Sequence, residues 1–358
     1  LHTFSIGFED PSFDESSHAE KVARHFGTLH HHRLCTEEEM LRVLPRALAA
    51  LDEPMADGSF LPTYLLSEFA RETVTVALGG DGGDELFYGY PTFRAHGIAR
   101  FLEWVPQALW RRVLSPLVDQ LPVSTSNISL DYQMKRMARG LGTSRFARHF
   151  VWIGAVAPWL QRQILDPDVL VSATDSSVEE PVSRILQEVD SSSELEKLSW
   201  LYCRTYLAND ILAKVDRASM AHGLEARAPF MDLRVVRGAF ALDDARKLNG
   251  RTTKVILREW SRECLPPEIV NRPKKGFGMP IARWLSGPLH EWAREHLSPE
   301  QLGQVGVFQP GIGHQLLDEH TRGKEDHRKV LWSLLVFMNW WSSWQNAPTL
   351  ESYERPTA

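Results

Sequence analysis

Cysteine is scarce. Cys35, Cys203 and Cys264 are the only three in 358 residues, and they lie too far apart for a zinc-ligand pair or a small disulfide framework. That usage predicts a reducing compartment, the cytoplasm. Basic excess is missing as well. Lys and Arg number 40 against 46 Asp and Glu, and the net charge of −6 excludes the basic footprint of a nucleic-acid binder. Long apolar runs are absent. VLWSLLVFMNWW, Val330 to Trp341, is too short to span a bilayer and predicts a buried helix. The chain also lacks an initiating methionine: Leu1 opens directly on the strand pattern LHTFSIGF, so this sequence is expected to be the distal part of a longer protein.

What is present is ordinary in bulk, with 43% hydrophobic and 24% charged residues, and predicts a globular chain whose length allows two or three domains. Phe4, Ile6 and Phe8 alternate with polar neighbours in the first strand. Ala19, Val22, Ala23 and Phe26 share one face of a helix over 15–26 that Gly27 stops. TLHHHRLC predicts a second strand, with His30, His31 and His32 alternating faces, so the three rings cannot converge on one metal; one of them is expected to be buried. Thr36 and Glu39 form a capping box opening a helix through Leu51, whose continuity Pro45 challenges. A helix over 63–71 precedes the strand VTVAL. Strand–helix alternation predicts a parallel sheet with right-handed crossovers, and ligands bind beyond the carboxyl ends of such strands. From about Arg100 onward the pattern is helical, with SSVEEPVSR and DSSSE as loops. The 12 tryptophans predict core packing.

Three stretches carry chemistry. In ALGGDGGDELFYGY, four glycines and three acids occupy Gly79 to Glu85. Gly79 and Gly80 free the backbone to approach a phosphate, and Asp84 offers magnesium a hard oxygen. A solvated turn capped by Asp81 or Asp84 explains the same letters. In YLANDILAKVDRASMAHGLEARAPFMD, Asp210, Lys214 and Arg217 recur at helical spacing as one polar stripe, which is either a salt-bridged face or the edge of a site. Glu225, Arg227 and Asp232 follow in an expected loop. In LNGRTTKVILRE, Asn249–Gly250 is a turn signal, and Lys254 falls in the first turn of the next helix, where a cation opposes the helix dipole unless an anion is bound. Lys274 and Lys275, before Gly276 and Gly278, repeat that theme in a loop.

Taken together and in order, LHTFSIGF, DEPMADGSFLPTYLLS, LGGDGGDELFYGY, DILAKVDRASMAHGLEARAPFMD, NGRTTKVILRE and KKGFGMPIARWL resemble the synthetase domain of the glutamine-hydrolysing asparagine synthetases, over roughly residues 1–285. The resemblance implies an α/β fold, a parallel-sheet nucleotide-binding core of the ATP pyrophosphatase (HUP-like) kind with a large helical extension. The domain would run over 1–345, its α/β part over about 1–100 and its helical part over 101–345, with a tail at 346–358. It implies an ATP-dependent, magnesium-assisted ligase. The side chain of aspartate would attack the α-phosphate of ATP to give β-aspartyl-AMP and pyrophosphate, and ammonia from glutamine would displace AMP.

Carried over by position, Ile6 contacts adenosine through its strand backbone, Gly79 and Gly80 line the nucleotide, Asp84 holds magnesium, and Lys254 neutralises phosphate charge. Asp81 stands where some members carry glutamate, as a group that binds or deprotonates the amine. Asp210, Lys214, Arg217, Glu225, Arg227 and Lys275 are the substrate candidates. The family's SGGxDS phosphate loop and its N-terminal glutaminase domain are absent from the sequence, so this piece alone is expected to be inactive. A homodimer is compatible with this reading, though the sequence does not fix the oligomeric state, and neither nucleic-acid nor membrane partners are expected. Two other readings stand beside this one: a sister enzyme adenylating another carboxylate, as β-lactam synthetases do, and a non-catalytic scaffold.

Overall fold

A computed structural model describes residues 1–102, 104–123, 130–141, 143, 145–172, 179–272, 276 and 278–345. The first strand, β1 (His2–Phe8), pairs in parallel with β2 (Leu29–Cys35), Phe4 opposite His31 and Phe8 opposite Cys35. Between them runs helix α1 (Ser16–Phe26). Gly27 ends it at φ 62, a left-handed cap that glycine adopts without steric cost. Thr36 then accepts the Glu39 N–H at 3.2 Å and opens α2 (Glu37–Ala49). Pro45 does not break α2. Met40, Val43, Leu44, Ala47 and Leu48 are all buried along it, and that packing outweighs one lost backbone bond. No histidine of the 30–32 run is buried, contrary to expectation: His31 stacks on Phe4 at 4.9 Å while His30 meets the hydroxyls of Thr3 and Ser5.

After α3 (Phe60–Arg71) comes β3 (Val76–Leu78). The expected single sheet is divided here. β3 pairs in parallel with β4 (Glu225–Arg227) and, among the described residues, has no ladder to β1. A cavity of about 1030 Å3 is lined by His2, Thr3 and Phe4 from one pair and by Val76, Ala77 and Leu78 from the other, so open space lies where a ladder between them would run. The fold is therefore α/β with short parallel pairs. Glu225 and Arg227 stand in a strand, not in the expected loop, because β3 offers the segment a partner edge.

Helical structure dominates from residue 100 onward, as expected. The segments that position the site are α4 (Gly83–Leu86), α5 (Pro91–Phe101), α6 (Glu194–Tyr202), a wider π-helical stretch over Cys203–Ile211, and its continuation α7 (Leu212–Met220). Then come α8 (Asp244–Lys247), the antiparallel hairpin β5 (Leu248–Asn249) and β6 (Thr252–Thr253), and α9 (Val255–Ser261). Six of the nine residues of the expected SSVEEPVSR loop are helix (Glu179–Gln187), and its first three lie outside the described ones, as do Lys274, Lys275 and the 346–358 tail.

The largest hydrophobic cluster unites residues from the two ends of the chain. Ile6, Phe8 and the α2–α3 faces pack with α10 (Ile281–Leu285) and with α11 (Arg328–Gln345), where Leu331, Trp332 and Leu335 are buried. Among the described residues no helix is long and apolar enough to cross a membrane.

Candidate active site

Chain direction reverses sharply at the end of β3, and glycine makes that turn. Gly79 N–H donates to the Arg227 carbonyl at 2.8 Å, so the β3–β4 ladder runs to the mouth of the loop. Gly82 sits at φ 89, where a Cβ would lie 2.5 Å from the Met231 sulfur. A Cβ on Gly80, by contrast, would meet nothing within 4 Å, which leaves its backbone facing open space. The loop then winds into α4 and brings Asp81, Asp84 and Glu85 to the wall of the 1030 Å3 cavity, with Gly79, Gly80, Tyr90, Lys214 and Tyr206.

The three acids differ. Burial raises the Asp81 carboxyl above its usual range, against the pull of the Lys214 ammonium. Burial likewise raises Glu85, which is 1% exposed, although the Tyr90 hydroxyl donates to it at 2.6 Å. Asp84 meets a cation directly: its Oδ1 lies 2.8 Å from Lys254 Nζ. The hairpin delivers that lysine. Gly250 turns it at φ 56, and Lys254 caps α9 at φ 53 rather than standing inside its first turn.

Beside this wall is a second cavity of about 930 Å3, and Asp57, Ser59 and Tyr206 line both. Lys214, nearly buried, donates to Asp57 Oδ2 at 2.8 Å and to Ser59 Oγ at 2.7 Å. Burial opposes ionisation of Asp57, but Lys214 overrides it and holds the carboxyl below its usual range. Asp210 faces the second cavity, and burial together with the neighbouring Asp57 charge pushes it up to about 7. Two carboxyls this close ionise one at a time. Arg328 and Lys329 line the same cavity, so it offers charges of both signs.

The structure thus brings together Gly79, Gly80, Asp81, Asp84 and Lys214, joins Lys254 to Asp84, and sets Asp210 next door. It does not gather the rest. Ile6 is buried in the core, and only the start of β1 lines the cavity. Arg217 pairs with Asp52 at 2.8 Å and Glu225 with Arg227 at 2.7 Å; none of these side chains lines either cavity. Lys275 lies outside the described residues. Sequence reasoning missed Asp57, Ser59 and Tyr206. The letters Asp-x-Ser at a helix start were a usable signal, since Asp57 Oδ1 accepts from both the N–H and the hydroxyl of Ser59.

Among the described residues no group of three or more acids, histidines or cysteines forms a ready metal cage. The donor set still fits magnesium, which keeps several waters and is held by one or two carboxylates plus substrate phosphates. Asp84, on the cavity wall beside an open glycine backbone, is the carboxylate that would hold it.

Residues 1–343 match the family model described as asparagine synthase. The chain is 30% identical over 342 residues to glutamine-hydrolyzing asparagine synthetase 1 of Bacillus subtilis, covering 96% of this chain and 52% of that protein. It is 32% identical over 348 residues to a putative glutamine-hydrolyzing asparagine synthetase of Mycobacterium bovis, covering 95% and 50%. A more distant likeness, 23% over 335 residues, is to the amidase chyE of Penicillium rubens. The chain spans about half the length of the curated relatives it matches. With a family model over nearly its whole length and the glycine–acid loop folded against a lysine, the chain belongs to the asparagine synthase family.

Proposed function

We propose that this chain is the ligase portion of an ATP-dependent amide-forming enzyme, with the aspartate side chain as the carboxylate activated and ammonia as the acceptor. The observation that carries this reading is the Asp84–Lys254 pair, 2.8 Å apart, with Asp84 on the wall of a cavity lined by the Gly79–Gly80 backbone. A carboxylate oxygen attacks the α-phosphorus of ATP, the bond to the leaving pyrophosphate breaks, and an acyl-adenylate forms. Ammonia then attacks the acyl carbon, the acyl–oxygen bond to AMP breaks, and a proton is lost from nitrogen. Bound magnesium supplies charge neutralisation on the phosphate oxygens.

Asp84 is the residue for that ion, and Lys254 is the fixed cation for charge that moves onto pyrophosphate. Gly79 and Gly80 let backbone approach the nucleotide. Asp81, whose carboxyl burial raises above its usual range, is the group that receives or orients the amine. Asp210 lines the cavity assigned to the amino-acid substrate, where Lys329 and Asp57 suit the two ends of a zwitterion, and Lys214, on the wall of the neighbouring cavity, donates to that Asp57.

The HUP-like core belongs to the same proposal. The facing edges of β1 and β3 have no strand partner between them among the described residues, and Val76 and Leu78 are exposed there at 40% and 71%. A parallel strand contributed by sequence ahead of Leu1, carrying the SGGxDS loop and preceded by a glutaminase domain, would complete one sheet and close the nucleotide site. ATP–pyrophosphate exchange by the protein expressed from its complete coding sequence, screened with aspartate, glutamate and other carboxylates, tests the reading. Exchange that depends on aspartate supports it; exchange with another carboxylate only overturns the substrate, and none with any carboxylate overturns the ligase.

A further inference from the structure

Two bulky residues adopt a backbone conformation that such residues rarely enter. Among the described residues, Tyr88 at φ 56 and Lys254 at φ 53 are the only ones besides glycine with positive φ. They are neighbours in space. Lys254 N–H donates to the Phe87 carbonyl at 3.2 Å, and Gly89 N–H donates to the Asp84 carbonyl at 2.7 Å. The left-handed turn at Tyr88 slides Gly89 directly under the Asp84–Lys254 pair: a Cβ on Gly89 would lie 1.9 Å from Asp84 Oδ1 and 2.2 Å from Lys254 Cε. Conformations of this kind persist only where the surroundings over-determine them.

The surroundings of Tyr88 do so. Its ring is fully buried and stacks on Phe93 at 4.7 Å. Its hydroxyl donates to Asp244 Oδ1 at 2.7 Å, and the other oxygen of Asp244 accepts from Ser193 at 2.6 Å. Lys247, 1% exposed, places Nζ 4.5 Å from the Tyr88 ring centre. Asp244 and Lys247 are the two ends of α8, and α8 leads through the β5–β6 hairpin to Lys254. One side chain from the Asp84 loop therefore holds the root of the segment that delivers its partner lysine.

We infer that Tyr88, through its hydrogen bond to Asp244 and the Lys247 ammonium over its ring, is a positioning residue that sets the approach of Lys254 to Asp84. The inference rests on the ligase reading only for the purpose of that approach; the brace itself is independent of it. Without the brace, the turn at Tyr88 relaxes, Gly89 moves, and the lysine loses its fixed place relative to the carboxylate. The ring's packing would remain.

The test uses Tyr88→Phe, Asp244→Ala and Asp244→Asn in the protein from the complete coding sequence. Tyr88→Phe keeps the ring and removes only the hydroxyl. Asp244→Asn keeps an acceptor for it. Amide hydrogen exchange in the nucleotide-free protein is read at Gly89 and Lys254, the two donors beneath the pair, and exchange kinetics are split into kcat and ATP KM. The expected result is faster amide exchange at both positions in Tyr88→Phe and Asp244→Ala. Their kcat should fall by on the order of 10²-fold, as about 1 Å of misplacement costs, with KM little changed, and Asp244→Asn should restore both measures. Wild-type amide protection in Tyr88→Phe overturns the brace, and so does a lowered melting temperature with unaltered kcat. Should Asp244→Ala not fold, Tyr88→Phe still decides. Failure of the ligase reading appears separately, as absence of pyrophosphate exchange in the unaltered protein, and leaves the amide measurement standing.

Discussion

In the proposed reaction, Lys254 is the residue on which the chemistry turns. A cation held where charge develops stabilises the transition state more than the ground state. Lys254→Ala should lower kcat by on the order of 10²–10³, the effect of about 2.7–4 kcal/mol, while ATP affinity changes little; Lys254→Arg should recover part of it, since a planar fork does not replace a compact ammonium. Steady-state kinetics with a nucleotide titration would show this, and an unchanged kcat removes the residue from the site. Asp210 makes a different prediction, in stability. Its folded pKa of about 7 lies above the ordinary 3.8, so the stability it contributes is full below about pH 4 and is lost as pH rises through about 7. Asp57, held low by Lys214, titrates outside that window. Asp210→Asn keeps a donor toward Asp57 and removes the ionisation, so the variant should gain on wild type between pH 5 and pH 8, by on the order of 2.5 kcal/mol at most. Urea midpoints at both values measure it; an equal difference at each pH defeats the assignment.

At the scale of the element, what could be read in advance was whatever a local pattern encodes. The Thr36 cap, the Gly27 stop and the Asn249–Gly250 turn form as spaced, because each depends on neighbours a few residues away, although the Glu39 carboxylate of the expected box pairs with Arg33 instead. The Asp210–Lys214–Arg217 stripe was legible as a stripe, but its meaning was not. Its cations reach across to another segment, Lys214 to Asp57 and Arg217 to Asp52, more than 150 residues distant in sequence. Nor could spacing of four and three announce the π-helical winding of Cys203–Ile211 that carries Asp210. The glycine–acid loop was legible as a loop through its composition, whereas Asp57 and Ser59 announced only a local Asp-x-Ser turn, and nothing in its spacing tied them to Lys214. Packing between elements offers its own test. Gly313 opens a helix (Ile312–Thr321) that crosses the end of another, and a Cβ there would sit 2.4 Å from the Leu297 carbonyl oxygen. Gly313→Ala should destabilise the fold by about 1–3 kcal/mol, as overpacking does, with Tm falling accordingly in a thermal melt. A melt matching wild type would mean that the two helices can part without cost.

At the scale of the whole molecule, the described residues share one core to which segments near both ends of this sequence contribute jointly. Leu44, Leu61 and Leu65 near the beginning lie in one cluster with Trp284, Leu331 and Leu335 near the finish, while smaller clusters around Tyr88, Trp152 and Phe87 serve the stretch between. Deleting 328–345 should therefore unfold far more than one helix. The product should lose cooperative melting and expose the α2 and α3 faces to a hydrophobic dye; a truncated chain that melts cooperatively near the wild-type temperature refutes that view of the core. The same feature governs how the protein comes into being. A ribosome releases the amino-terminal strands and helices first, at roughly 5–20 residues per second. The apolar faces of α2 and α3 must then wait through nearly 270 residues of further synthesis before α11 arrives to cover them. That wait, on the order of tens of seconds, is the interval in which this chain is most dependent on a chaperone.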